Sequence, residues 1–188
     1  MDTDDFDKSP ASLRIASMAI MTAMTVVIGY IRVPLPATQG IFTLCDIAIY
    51  FTAFCLGPFS GAVAGGLGAA LIDLIGGTAQ YAPVSFIVHG LQGLLAGLIA
   101  APGARDGVSE GAVRRGVSLL LWIVAGLCGT VIMAGGYLLA ETLFYGGPAK
   151  AVTEVVFNVA QSLTGAVGGV LLTVAVRRAY PPVHRLRW

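Results

Sequence analysis

The chain has 188 residues, 56% of them hydrophobic and 11% charged, with a formal net charge of +1 and a mean hydropathy of +0.84. So little charge over so much apolar sequence is outside the range of soluble domains and identifies an integral membrane protein. There is no basic run interleaved with aromatic residues, so nothing points to nucleic acid.

The apolar runs suit helices of about 20 residues and lack the strict alternation of barrel strands, so the expected fold is an all-α bundle, a single membrane domain over residues 1–188. Residues 1–11, beginning MDTDDFDKSP, are acidic and polar, unlike a cleavable leader, and are expected to form a tail. A first helix is predicted over 12–31, with Arg14 at its entrance and Arg32 just past its exit. The segment VPLPATQGIFTLC holds two prolines and a glycine and reads as an ordered loop. A second helix over 44–56 starts where Thr43 or Asp46 can cap it and stops at Leu56-Gly57-Pro58, which makes it short for a span. Along the third helix, 59–75, Gly57, Gly61, Gly65, Ala69 and Asp73 recur every fourth residue, a ridge of small residues that ends at a carboxylate. GGTAQYAP is a loop, and the fourth helix, 84–101, repeats the idea with His89, Gly93 and Gly97. After the aqueous stretch APGARDGVSEGAVRRG come a fifth helix over 117–140, a loop ETLFYGGPAK, a sixth helix over 151–176 and a basic tail, 177–188. Cys45, Cys55 and Cys128 form no CxxC pair and have no His nearby in the sequence, so no disulfide, metal or cofactor is expected.

Six spans place both termini on one side. Lys8, Arg14, Arg105, Arg114, Arg115, Arg177, Arg178, Arg185 and Arg187 fall on that side, and only Arg32 and Lys150 on the other, so both termini are expected in the cytoplasm. With about 1.5 Å of rise per residue, Asp46, Asp73, Ser85, His89, Glu154 and Asn158 all lie in the outer half of the bundle. The inner half offers mainly Gly, Ala, Leu and Val, which argues against a channel. Ionisable residues inside a membrane are costly and mark ligand or ion sites. Glu154, Asn158 and Gln161 or Ser162 form one polar stripe on the sixth helix, and Gln92 lies one turn beyond His89. The plainer alternatives are interhelical hydrogen bonding for Asn and Gln, and for Asp46 a position favoured by the helix dipole. Arg32 and Lys150 read as interfacial anchors, and Tyr81, Phe42 and Tyr145 as flat apolar walls or interfacial residues. The acidic excess suits a neutral or cationic guest. GxxxxGK[ST], HExxH, GxSxG and the acidic pair of a lipid transferase are all missing, so an enzyme is not expected.

The order PxPATxG (Pro34 to Gly40), Asp46, LGPxxGAxAGGxGxAxxDLxGG (Leu56 to Gly77) and YAPxxxxxHGLxGLxAGL (Tyr81 to Leu98), continued by Asn158, Gln161 and Gly165, resembles the substrate-binding S components of energy-coupling factor (ECF) vitamin transporters. It looks most like the branch associated with riboflavin, hydroxymethylpyrimidine, pyridoxine and related precursors. The chain departs from that pattern at Thr43 and Cys45, where Asn and Gly are more usual beside the Asp. The resemblance implies a six-helix protein of a prokaryotic cell membrane that captures a B vitamin or precursor, thiamine included, from outside. Asp46, Asp73, Tyr81, His89, Gln92, Glu154, Asn158 and Gln161 are then the expected substrate contacts. It also implies docking on a membrane coupling protein with two ATPase subunits. Ala19 and Ala23 fit the AxxxA surface used for that contact and Ala16 extends it, unless the stripe packs within this chain. A one-sided pocket has no energy source of its own, so uphill transport requires a partner that hydrolyses ATP. PLPATQG and GGTAQYAP are placed to close over a guest. The alternatives are a secondary carrier working alone, although no internal repeat is visible, and a small intramembrane enzyme using Asp73 and His89.

Overall fold

The computed structural model describes residues 10–35, 40–104 and 112–187. The expected N-terminal tail up to residue 9, with Lys8, the tip of PLPATQG at 36–39, the stretch 105–111 with Arg105, and residue 188 lie outside the described residues. Six helices follow one another: α1 (Ala11–Gly29), α2 (Cys45–Leu56), α3 (Pro58–Gly76), α4 (Ala82–Ala104), α5 (Ala112–Ala140) and α6 (Pro148–Ala179). Five are long and apolar enough to cross a membrane, and α2 is a shorter apolar helix.

The helix limits differ from the sequence expectation mainly at prolines. Pro58 and Pro148 open α3 and α6, each preceded by a glycine at positive φ, Gly57 at 97° and Gly147 at 84°. Proline at the first helical position loses no hydrogen bond and is pre-set in φ, so it starts a helix where a breaker was expected. ETLFYGGPAK is therefore hardly a loop: Glu141–Tyr145 continues α5 as a π-helical turn, and Pro148 to Lys150 belong to α6.

The segment between α1 and α2, expected as a loop, carries a hairpin. Strands β1 (Arg32–Pro34) and β2 (Ile41–Thr43) pair antiparallel, with Arg32 opposite Thr43, Val33 opposite Phe42 and Pro34 opposite Ile41. Three-residue strands leave no periodicity to read.

α2 is the axis of the bundle. All its residues but Ile47 and Phe51 are buried, and α1, α3, α4 and α6 contact it. At about 1.5 Å per residue it is roughly 18 Å long, too short for a hydrocarbon core of about 30 Å. Being sheathed by its neighbours, it need not meet lipid over its length. Around it, α1 adjoins α3, α3 adjoins α4, α4 adjoins α5, and α5 adjoins α6.

The ridge of small residues on α3 is the seam with α4. A Cβ on Gly61 would sit 2.8 Å from the Gly93 carbonyl oxygen, and one on Gly65 would overlap the His89 carbonyl. Gly93 meets Gly61, and Gly97 meets Pro58, in the same way. Backbone lies against backbone along this line, the close approach that small residues permit.

Proline also leaves a gap at the far end of α2. The Phe54 carbonyl would ordinarily accept from the N–H of residue 58, which is proline and has none. Arg177 Nη2 at 2.7 Å and Arg187 Nη1 at 3.1 Å donate to it instead. A short 3-10 helix, Pro181–Leu186, folds the tail back so that Val183 and Leu186 pack on Cys55 and Leu56. Replacing both arginines by Met strands a buried carbonyl, and a lowering of stability by about 1–3 kcal/mol is expected. Thermal unfolding in detergent checks this; either single variant, which keeps one donor, should lose distinctly less.

Candidate functional site

At the end of the bundle that carries the hairpin, a cavity opens among α2, α3, α4, α5 and α6. Its volume is about 90 Å³, counted over positions open to the centre of a water molecule. The polar lining falls into a floor, a wall and a rim.

The floor rests on Asp46, in the first turn of α2 and only 1% exposed. Gln92 Nε2 donates to Asp46 Oδ1 at 2.5 Å, and Gln161 Nε2 donates to Oδ2 at 2.6 Å. Gln161 is oriented by the Thr43 backbone N–H, which donates to its Oε1 at 2.7 Å. With its Nε2 turned to Asp46 and Ser162, Gln92 offers Oε1 to His89 Nδ1 at 2.8 Å, so that nitrogen carries the imidazole hydrogen. His89 Nε2 is then an acceptor, with no hydrogen-bond partner among the described residues. Ser162 ties the floor to Tyr50 at 2.8 Å and Thr130 at 2.9 Å, so α2, α4, α5 and α6 share one buried network.

The wall is built on Asp73 at the end of α3. Thr78 Oγ1 donates to its Oδ1 at 2.8 Å and Ser85 Oγ to its Oδ2 at 2.5 Å. Since the single Ser85 hydroxyl hydrogen goes to Asp73, Tyr137 donates its own to Ser85 Oγ, 2.6 Å away. The Tyr137 ring meets the edge of His89 at 5.7 Å between centroids.

At the rim, Lys150 Nζ lies 2.9 Å from Glu141 and 3.8 Å from Glu154, and donates to the Tyr81 hydroxyl at 2.7 Å. The Tyr81 and Tyr145 rings lie tilted against each other with 4.4 Å between centroids, and the Tyr145 hydroxyl donates to the Gln80 carbonyl. The α3–α4 connection is thereby latched to the start of α6.

Of the residues expected from the sequence, Asp73, Tyr81, His89, Glu154, Asn158 and Gln161 line the cavity. Asp46 and Gln92, expected among the contacts, are not on its surface: they lie beneath it and hold the residues that are. Asn158 is half-buried, and its amide has no hydrogen-bond partner among the described residues. Arg32, read as an interfacial anchor, lines the cavity, whereas Lys150 is held in the rim. Met133, Tyr137 and Glu141 were missed as a group. They recur every fourth residue, but ending the fifth helix at Ala140 consigned Glu141 to a loop and broke the stripe. Cys45 has no His nearby in the sequence, yet folding brings one ligand atom each of Cys45, Asp46 and His89 within 4.8 Å of one another. Ala16, Ala19 and Ala23 are all exposed on α1, away from the cavity.

Comparison with known proteins places the chain. The family described as ECF-type riboflavin transporter, S component, matches residues 11–178. The thiamine precursor transporter HmpT of Lactococcus lactis subsp. cremoris is 32% identical over 167 residues, covering 88% of each chain. An uncharacterized protein of Pyrococcus woesei is 30% identical over 161 residues, 86% of this chain and 99% of its own. A solved structure of the S component of a bacterial ECF transporter shares the fold, with a TM-score of 0.63 over 90% of this chain and 98% of that one, at 16% identity. The family and the Lactococcus relative are transporter components and not enzymes, which sets aside an enzymic use of Asp73 and His89. The chain belongs to the ECF-type riboflavin transporter S-component family, whose members are multi-pass membrane proteins.

Proposed function

We propose that this S component captures a single-ring vitamin precursor rich in N–H donors, of the hydroxymethylpyrimidine type, from outside the cell. It delivers the guest inward when docked on a membrane coupling protein that carries two ATPase subunits. The observation that carries the substrate class is the polarity of the cavity. His89 Nε2, the Tyr137 oxygen and the Asp73, Glu141 and Glu154 carboxylates all accept, while Asn158 and Arg32 supply donors at other points of the lining. A heteroaromatic ring with an exocyclic amine and a hydroxyl offers hydrogens to that wall and a ring nitrogen to Asn158.

Size supports the same choice. One water needs about 10–15 Å³ by this measure, so about 90 Å³ suits a substituted single ring better than a three-ring flavin with its sugar-alcohol chain. The thiamine precursor transporter of Lactococcus is a relative of matching length. Orientation follows from charge: Arg14, Arg177, Arg178, Arg185 and Arg187 gather at one end of the sequence spans and Arg32 and Lys150 at the other, so the positive-inside rule directs the cavity outward and both termini to the cytoplasm. The exposed Ala16, Ala19 and Ala23 leave a smooth strip on α1 where a partner helix can approach closely.

The test is calorimetric titration of the purified chain in detergent with aminated hydroxymethylpyrimidine, its isostere bearing a carbonyl in place of the amine, pyridoxine, thiamine and riboflavin. A site built around acceptors should prefer the amine by at least about 10-fold over the carbonyl isostere. Tight binding of riboflavin with neither pyrimidine bound would overturn the substrate class while leaving the capture role intact.

A further inference from the structure

We infer that Cys45, Asp46 and His89 form a site for a borderline divalent cation of the Zn²⁺ or Co²⁺ class, with a fourth position left to water. The three residues carry the inference whatever the guest, and loading changes only what His89 offers that guest. His89 Nδ1 lies 3.8 Å from Asp46 Oδ1, and Cys45 Sγ lies 3.7 Å from Asp46 Oδ2. A tetrahedral ion with bonds of about 2.0–2.3 Å places its donors roughly 3.3–3.8 Å apart. One donor atom from each of the three residues already lies within 4.8 Å of the others, so shifts of about an ångström close the site. One thiolate, one imidazole and one carboxylate form a donor set that selects such ions over Mg²⁺ or Ca²⁺.

Charge points the same way. All three residues are buried, and the Asp46 carboxylate is surrounded by the neutral amides of Gln92 and Gln161. A thiolate, a carboxylate and a divalent cation sum to zero, and a neutral cluster is the inexpensive state in a membrane interior. The two glutamines then serve as the outer hydrogen bonds that metal-binding carboxylates require. Cys45 and His89 both line the cavity, so an ion can reach the site from there, and the remaining coordination position is left to water.

Binding is balanced in protons. The Cys45 thiol hydrogen leaves to solvent through the cavity, and the imidazole hydrogen moves from Nδ1 to Nε2 as Nδ1 takes the ion. The Gln92 Oε1 bond to His89 is given up in exchange. A cation-loaded pocket therefore shows a donor at His89 where the cation-free one shows an acceptor.

The experiment is an anaerobic Co²⁺ titration of the reduced full chain in detergent, followed by absorption. One equivalent should produce a thiolate-to-cobalt charge-transfer band with the strong visible bands of a four-coordinate ion. The band should persist in Cys128→Ala, which removes the exposed cysteine, and vanish in Cys45→Ser and Cys45→Ala, with His89→Gln weakening binding by at least about 10-fold. Melting curves report that each variant is folded. Absence of the band in the folded wild-type chain, or its survival without Cys45, would overturn the site.

Discussion

Gly65→Leu is expected to leave no folded protein in detergent. The first carbon of the new side chain would press well inside contact distance of the His89 carbonyl oxygen, and that obstacle is backbone in the middle of α4, without a rotamer to escape into. Relief would demand prising α3 from α4 and tilting His89 and Gln92 out of the floor network. Overpacking of this kind costs about 3 kcal/mol or more, a large fraction of the stability of an ordinary domain. Asn158→Leu is the contrasting variant. Its amide binds none of the described residues, so the bundle should fold with a near-wild-type melting curve while guest affinity falls by roughly 10- to 100-fold for the lost hydrogen bond. Size-exclusion profiles and melting curves read the first effect and calorimetry the second. Equal loss of folded protein in the two variants would defeat the separation between seam and site.

Asp46→Asn should be nearly as damaging as full removal, despite being isosteric. Both carboxylate oxygens accept from an amide NH₂, Gln92 on one side and Gln161 on the other. Asparagine turns one acceptor into a donor, so one glutamine faces it hydrogen to hydrogen in a buried site. Gln161 cannot flip in compensation without losing the Thr43 N–H. A loss of about 2–3 kcal/mol in stability is expected, with guest binding lowered through the misplacement of His89 and Gln161. A variant that melts like wild type would show that the floor tolerates a donor, against the network described.

These two residues show what the sequence could reveal. Gly65 belongs to a four-residue period, which is a local signal, and the seam it forms was legible before any fold was known. Asp46 was legible as a buried ion but not in its role, because its partners come from α4 and α6 and nothing local distinguishes a residue beneath a cavity from one lining it. The polar stripe of α6 was readable through its spacing; that of α5 was lost because Glu141 lies in a π-helical turn past the point where helical composition gives out. Pro58 and Pro148 look like breaks in the sequence, yet each opens a helix, because a proline is harmless in the first turn. The nearness of Cys45 to His89 is a property of tertiary structure alone.

The glycine seam also limits how the molecule can move. Where side chains interdigitate, helices can slide by changing rotamers; where two backbones touch, as along Gly61, Gly65, Gly93 and Gly97, that adjustment is missing. α3 and α4 therefore behave as one stiff plate carrying Asp73, Ser85 and His89 in fixed relation. The freedom to admit or release a guest resides at the edges of that plate. There the contacts are made by flexible side chains: the Lys150 and Tyr145 latches onto the α3–α4 connection, and the hairpin resting over Glu154.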